Sequence, residues 1–566
     1  MLDASSKNQN QHETMSGAAI LIETLINHGV DEVFGFPGGA VLNIYDELYK
    51  HRGKIRHYIT CHEQGAAHAA DGYARATGRP GVVIATSGPG ATNLVTGIAT
   101  AYLDSSPVIA ITGNVALPLI GKDSFQEVDI AGITMPITKH NYIVKDINEL
   151  EDIICEAFQI AQSGRPGPVL IDIPKDIQIQ KAAFKGGKAR PLFPLPPINQ
   201  SSIEEAAKLI NESKKPYIYA GGGIISSRAA AELMAFADKI DAPIGSSMMG
   251  LSAVPYTSER RLGMTGMHGT YASSMLGAES DLIIGIGVRF SDRATGDKSK
   301  YQENTKILHI DIDHSEIDKN IKSYTSVIGD IKEILPRLTE MVDQRTFKKW
   351  KDVAAEYKKI GKECSRGLNE DGLHPKNIIK TVRQYANDDT VVATDVGQHQ
   401  MWTAQYYEFT KPRTFLTSGG LGTMGFGMGA AIGGAVGGKK RSILFTGDGS
   451  FHMNMNELAT AVMHRLPVVV IIMDNRVLGM VRQWQKLFYE EHYSNTTMDR
   501  VTDYVKVAEG FGAAGCKAET MQELETALEK AFATDGPYVI DCIIDKDERV
   551  LPMIPPNGSI DNIITN

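Results

Sequence analysis

Two short polar turns stand at the ends of neighbouring apolar runs. Gly447-Asp448-Gly449 follows SILFT at Ser442, and Asp474-Asn475 follows VVVIIM at Val468. β-Branched runs of that length read as buried strands, and the helical segment between them makes them parallel neighbours in one sheet. Both turns then lie at the carboxyl edge of the sheet, where open α/β sheets bind ligands. Gly447 and Gly449 let backbone approach a phosphate closely, and the helix starting after Ser450 offers free N–H groups and the positive end of its dipole. Asp448 and Asn475 add one carboxylate and one amide oxygen, and a few protein oxygens supplemented by phosphate suit Mg²⁺. Alone, Gly-Asp-Gly is usually a turn and Asp-Asn an Asx cap. The pair, with Asn475 placed 27 residues after Asp448 across one crossover helix, is far more specific.

A second candidate is Glu63, in Cys61-His-Glu-Gln-Gly-Ala-Ala-His, at the junction of a strand and a helix. By position alone it is a capping partner for the helix dipole. His62 and His68 read as structural, since a lone histidine is usually satisfied by hydrogen bonds. Gly420-x-Gly422-x-x-Gly425 matches the dinucleotide fingerprint, but only a few apolar residues precede it and its would-be ribose acid is Asp448.

Elements to hold these turns are legible along the chain. Short β-branched runs alternate with helical segments, which predicts an α/β protein of three doubly wound domains with largely parallel sheets. The expected division is a flexible tail over 1–13, a first domain over 14–184, a Pro-rich linker over 185–200, a central domain over 201–346, a linker helix over 347–373, a third domain over 374–545 and a tail over 546–566. The first and third domains repeat one another at an offset near 360: GVVIATSGPGATN at Gly81 leads to PVIAITGN, as RSILFTGDGSFHMN at Arg441 leads to PVVVIIMDN. In that alignment Pro89 stands where Asp448 does.

With 566 residues, a formal net charge of -9 and five cysteines without a C-x-x-C pair, the chain argues against a nucleic-acid partner, a disulfide framework and a zinc cage. A cytoplasmic location fits. Ser418–Gly438 is uncharged, but ten of its 21 residues are glycine, so no membrane span is expected.

Over nearly the whole chain these motifs resemble the acetohydroxyacid (acetolactate) synthase family of thiamine diphosphate enzymes. The resemblance rests on FGFPGGA at Phe34, CHEQGAAHAADGYAR at Cys61, SFQE at Ser124, GRPGPVLIDIPKD at Gly164, GMHG at Gly266, RFSDRATG at Arg289, the Gly-Asp-Gly and Asp-Asn turns, and GMVRQWQ at Gly479. It implies that Gly38, Gly422, Met424, Gly447, Asp448, Gly449, Ser450, Asn475, Gly479 and Met480 hold thiamine diphosphate. Mg²⁺ would bind Asp448, Asn475 and the Val477 carbonyl, while Glu63 would reach the aminopyrimidine of a cofactor bound by the neighbouring subunit. It further implies that Phe125, Gln126 and Lys175 line the substrate path, that Arg293 holds the second ketoacid's carboxylate, and that Trp484 presses on its alkyl group. The loop with Met480 and Trp484 would then act as a lid.

The central domain would bind FAD through Arg165, Gly221, Gly222, Gly223, Gly266, Met267, His268, Gly287, Arg289, Arg293, Asp311, Ile312 and Asp330. Two departures from the family pattern are Ser291, where the pattern has aspartate, and Ala116, where many relatives have proline. The implied reaction joins pyruvate to pyruvate or 2-ketobutyrate, opening branched-chain amino acid synthesis, in a homodimer or homotetramer that could take a small regulatory subunit. An FAD-free catabolic acetolactate synthase and a pyruvate oxidase are the alternatives.

Overall fold

In the computed structural model, residues 13–364, 372–498 and 500–565 are described, so the expected tail over 1–13, apart from its last residue, and the end of the expected linker helix lie outside the described residues. The chain divides into two compact units. One holds the described residues up to Ala70 with Pro80–Phe193; the other holds Asp71–Arg79 and the described residues from Pro194 onward.

The first unit carries a six-stranded parallel sheet of β1 (Glu32–Phe36), β2 (Arg56–Ile59), β3 (Gly81–Ala85), β4 (Val108–Asn114), β5 (His140–Ile143) and β6 (Val169–Pro174), in the order β2-β1-β3-β4-β6-β5. Residues of β3, β4 and β6 are buried on both faces, as expected of strands covered by crossover helices. Val82, Ile84, Ile109, Ile111, Val169 and Ile171 form the centre of its core. A short antiparallel pair, Thr14–Ser16 with Lys181–Ala183, ties the two ends of the segment together.

The second unit carries two sheets. The central one contains β7 (Pro216–Ala220), β8 (Ile244–Ser246), β9 (Arg261–Met264), β10 (Leu282–Ile286), β11 (Lys306–Asp311) and β12 (Thr325–Ile328), ordered β9-β8-β7-β10-β11-β12. The other contains β13 (Val391–Thr394), β14 (Phe415–Leu416), β15 (Ser442–Gly447), β16 (Val468–Asp474), β17 (Ala514–Ala518) and β18 (Tyr538–Ile543), ordered β14-β13-β15-β16-β18-β17. Shifted by twelve, this is the order of the first sheet, so the repeat read from sequence extends to topology. The register corrects one detail. Gly81 pairs with Val108 as Ser442 pairs with Val468, which places Ser87, not Pro89, at the position of Asp448.

The helix Lys348–Cys364 packs on the helix Tyr271–Glu279: Trp350 is buried with its Nε1 donating 3.0 Å to the Pro216 carbonyl, and the Tyr357 hydroxyl bonds Glu279. The glycine-rich stretch forms the helix Phe426–Gly438, buried nearly throughout. Among the described residues, no helix is long and apolar enough to cross a membrane.

Candidate active site

The third sheet delivers both polar turns to one edge. Gly447 ends β15 opposite Met473, one residue before Asp474 ends β16, and Asp448 opens the short helix Asp448–Asn454. Asp448 is only 4 % exposed, and its carboxyl is pushed up to about 7, first by burial and then by Asp474 beside it. Burial raises Asp474 as well. Two adjacent buried carboxylates that resist ionisation together, with no cationic side chain bonded to Asp448 among the described residues, form a site that a cation would stabilise. The amide of Asn475 supplies the next oxygen: its Oδ1 accepts from Val477 N at 3.2 Å and its Nδ2 donates to Gln398 Oε1 at 3.2 Å. Val477 is fixed by a bridge to Thr497, and Ser450 Oγ donates to the Val396 carbonyl at 3.0 Å. Among the described residues no three His, Cys, Asp or Glu side chains converge as a metal cage. A donor set of one carboxylate, one amide and one carbonyl is of a different kind, and it fits Mg²⁺ with phosphate oxygens.

Three residues here escaped the sequence reading. Gln398 and His399 begin the helix Gln398–Tyr406. Gln398 Oε1 would lie 1.9 Å from a Cβ at Gly479, so a larger residue there would displace the Gln398 and Asn475 side chains. His399 is buried with Nε2 lacking a partner, and burial drives it down to about 3, leaving a neutral imidazole beside Gly447. Asp395, at the end of β13, accepts from Gly425 N and Gly427 N at 2.9 and 2.8 Å and from Thr446 Oγ1 at 2.7 Å. It thereby ties the Gly422–Met424 segment to the strand that carries Asp448. The Asp-Val-Gly-Gln-His run after the strand at Val391 was the available signal for all three.

In the first unit, Glu63 opens the helix Glu63–Thr77 and is buried, its Oε2 accepting from Asn93 Nδ2 at 2.9 Å. The turn after β3 gathers the other residues around it. Gly90 abuts Glu63 Oε1, Gly88 at φ +58 abuts the Gln126 backbone, and Thr86 Oγ1 accepts from Ala40 N, two residues after Gly38. Phe125, 87 % exposed, stands beside Gln126, and exposed Lys175 follows β6 directly.

Arg293 and Trp484 meet in the second unit: the guanidinium lies 5.5 Å from the indole centroid, and its Nη1 reaches Met267 Sδ at 3.7 Å. The Arg293 side chain is 62 % exposed and its nearest carboxylate, Asp292, is 3.8 Å away, so its planar fork remains open to an anion. The segment read as a loop is instead the helix Gly479–Phe488, because buried Gln483 exchanges bonds with the Val550 backbone and Arg482 pairs with Asp547 at 2.8 Å. Met480, one turn earlier, packs partly against the third core.

The flavin candidates mostly converge at the carboxyl edge of the central sheet. A Cβ at Gly221 would sit 1.8 Å from the Gly287 carbonyl, so β7 and β10 cross there backbone to backbone, with Gly222 and Gly223 opening the next helix. Asp311 ends β11, its Oδ1 accepting from Asp313 N, Ile312 follows, and Asp330 caps the helix Ile331–Met341. Met267 N donates to the Arg293 carbonyl, Gly266 takes φ +115, and the Arg289 carbonyl accepts from Asn320. His268 is buried, has no partner at Nδ1 and is driven to about 4 by burial and Arg293. That orphaned polar atom fits a bound polar cofactor. Arg165 lies in the first unit, where its Nε donates to Ser105 Oγ at 2.8 Å. Ser291 precedes the helix Asp292–Thr295 without capping it.

Comparison with known proteins agrees with this geometry. Residues 15–133, 203–338 and 395–542 match, in order, the N-terminal TPP binding domain, the central domain and the C-terminal TPP binding domain of the thiamine pyrophosphate enzymes. The chain is 44 % identical over 564 residues to the acetolactate synthase large subunit of Buchnera aphidicola subsp. Schizaphis graminum, covering 97 % of this chain and 98 % of that one. It is 42 % identical to the acetolactate synthase isozyme 2 large subunit of Escherichia coli, over 96 % and 98 % of the two chains, and 42 % identical to the chloroplastic acetolactate synthase 1 of Nicotiana tabacum, over 98 % and 85 %. The chain belongs to the acetolactate synthase large-subunit family of thiamine pyrophosphate enzymes.

Proposed function

We propose that the protein is the catalytic subunit of an acetolactate synthase, which decarboxylates pyruvate and joins the remaining two-carbon unit to a second 2-ketoacid. Pyruvate as acceptor gives 2-acetolactate and 2-ketobutyrate gives 2-aceto-2-hydroxybutyrate, with one CO₂ released in each case. The observation that carries this reading is the buried Asp448–Asp474 pair beside Asn475 at the edge of the third sheet, both carboxyls raised by burial. Asp448, Asn475 and the Val477 carbonyl would hold Mg²⁺, and the Gly447–Ser450 turn the diphosphate. Thiamine diphosphate, when bound, supplies a carbanion that can take up a ketoacid and release CO₂.

The chain's own groups do the rest. Glu63 exchanges a proton with the aminopyrimidine ring, and Asn93 fixes the carboxyl for that task. Arg293 takes the carboxylate of the acceptor, and the indole beneath it packs against the acceptor's alkyl group. The Gly479–Phe488 helix, braced on residues 547–550, excludes water that would divert the two-carbon unit to acetaldehyde. We further assign Mg²⁺ at the third sheet and FAD at the central sheet, a three-domain division at 14–184, 201–346 and 374–545, and a homodimer in which Glu63 of one chain serves the cofactor held by the other. An assay of acetolactate from pyruvate, with thiamine diphosphate, Mg²⁺ and FAD omitted in turn, tests the reading. No acetolactate with all three present would refute it, and stoichiometric oxygen uptake would favour a pyruvate oxidase.

A further inference from the structure

The repeat places a buried aspartate at the same site in both related sheets, with opposite surroundings. In the first sheet Asp172 on β6 faces Thr112 on β4, and it accepts from Thr112 Oγ1 at 2.7 Å and from Asn114 Nδ2 at 2.5 Å. In the third sheet Asp541 on β18 faces Ile472 on β16, and the residue two further along β16, on the same face, is Asp474. Both donors have therefore been replaced, one by a hydrocarbon and one by a second acid. Asp541 is 6 % exposed and its Oδ1 has no hydrogen-bond partner among the described residues. Lys517, opposite it on β17, is bonded to Glu519, and its charge and that of Arg476 offset only part of the cost of burying Asp541, whose carboxyl stays raised. Leaving a buried acid without a donor costs stability unless a charge nearby compensates it. The field of Asp541 reaches Asp474 and, more weakly, Asp448.

We propose that Asp541 is a positioning residue for the cation of the third sheet: it contacts neither the metal nor the diphosphate, but adds negative potential that strengthens metal binding at Asp448, while destabilising the metal-free chain. This rests on the Mg²⁺ reading above and goes beyond it, because Asp541 belongs to none of the motifs that define that site. A structural partner and a charge contributor behave in opposite ways on removal of the charge. Loss of a structural partner lowers stability with or without metal. Loss of an incompletely compensated charge raises the stability of the metal-free chain and lowers its affinity for the metal.

The experiment compares full-length wild type, Asp541→Asn and Asp172→Asn, each stripped with EDTA and titrated with Mg²⁺ at saturating thiamine diphosphate and pH 8, reading the melting temperature at each Mg²⁺ concentration. The expected result is a higher melting temperature for metal-free Asp541→Asn and a Mg²⁺ midpoint raised about tenfold, as for one charge acting through a partly polar interior. Asp172→Asn, whatever its own stability, should keep the wild-type midpoint. An unchanged midpoint in Asp541→Asn, or a lower metal-free melting temperature, overturns the proposal. A wild type that shows no Mg²⁺ dependence overturns the metal reading beneath it.

Discussion

The first and third sheets share a strand order and a register, yet their carboxyl edges are finished in opposite ways. At the first edge the acids are paired with donors, Asp172 with Thr112 and Asn114 and Glu63 with Asn93. At the third edge three acids crowd neighbouring strands: Asp541 Oδ1 has no partner among the described residues, Asp448 is raised first by burial and then by Asp474, and burial raises Asp474 although its Oδ1 accepts from Arg476 N at 3.1 Å. One duplicated scaffold thus offers an edge that presents a single acid, Glu63, and an edge that crowds three, Asp448, Asp474 and Asp541. Shared topology fixes where a ligand can sit, and the residue types at a few register positions decide what it is.

The comparison is broken most severely at Asp448. Asp448→Ala should weaken thiamine diphosphate binding by more than about 100-fold, since outer-shell changes alone cost up to that much at metal sites. Equilibrium dialysis measures it, and wild-type affinity would remove the third edge from cofactor binding. The first edge should respond in kind rather than degree. Glu63→Gln is expected to keep most of the affinity while slowing exchange of the cofactor's C2 proton by about 100-fold, the scale of one acid–base group. NMR of that exchange in deuterium oxide checks it, and an unchanged rate would leave Glu63 with only a capping role.

Trp484→Leu should produce a smaller, selective effect. A contact to the one methylene that separates 2-ketobutyrate from pyruvate is worth about 1 to 3 kcal/mol. At fixed pyruvate and rising 2-ketobutyrate, the variant should shift its products toward acetolactate while still consuming pyruvate. A constant product ratio at lower rate would make the indole a brace for Arg293 alone.

The smallest effect concerns Asp172, whose carboxyl burial raises to about 7 against the pull of Thr112 and Asn114. Its folded value exceeds its unfolded one, so the folded chain binds the extra proton between them, and stability falls as pH rises from about 4 to 7 and levels above that. Asp172→Asn should flatten that part of a melting-temperature profile recorded with EDTA. An unchanged slope would assign the dependence to other groups.

Much of this was legible in the chain. The β-branched runs gave the strands, the polar turns after β15 and β16 were placed at one sheet edge, and the offset near 360 between Gly81 and Arg441 revealed the repeat. Arg293 and Trp484 lie 191 residues apart and could be brought together only through resemblance; the 5.5 Å contact places them side by side. What stayed hidden depended on register. Asp172 and Asp541 look alike in sequence, each in a strand before an isoleucine-rich stretch, and only their partners across the sheet separate them. The Gly479–Phe488 segment has the composition of a loop or a helix, and the Gln483–Val550 bonds that hold it helical come from 67 residues away.

The central claim is that the two edges act on opposite ends of one cofactor and come from two different chains. Subunit mixing tests it directly. Asp448→Ala and Glu63→Gln, each purified and assayed alone, should make little acetolactate. After dissociation and random reassembly together, half of the dimers are mixed, and each mixed dimer holds one site with both residues intact, so activity should recover to about a quarter of wild type. Failure to regain activity in a preparation shown to contain mixed dimers would contradict the account, placing Glu63 and Asp448 of any one site on the same chain.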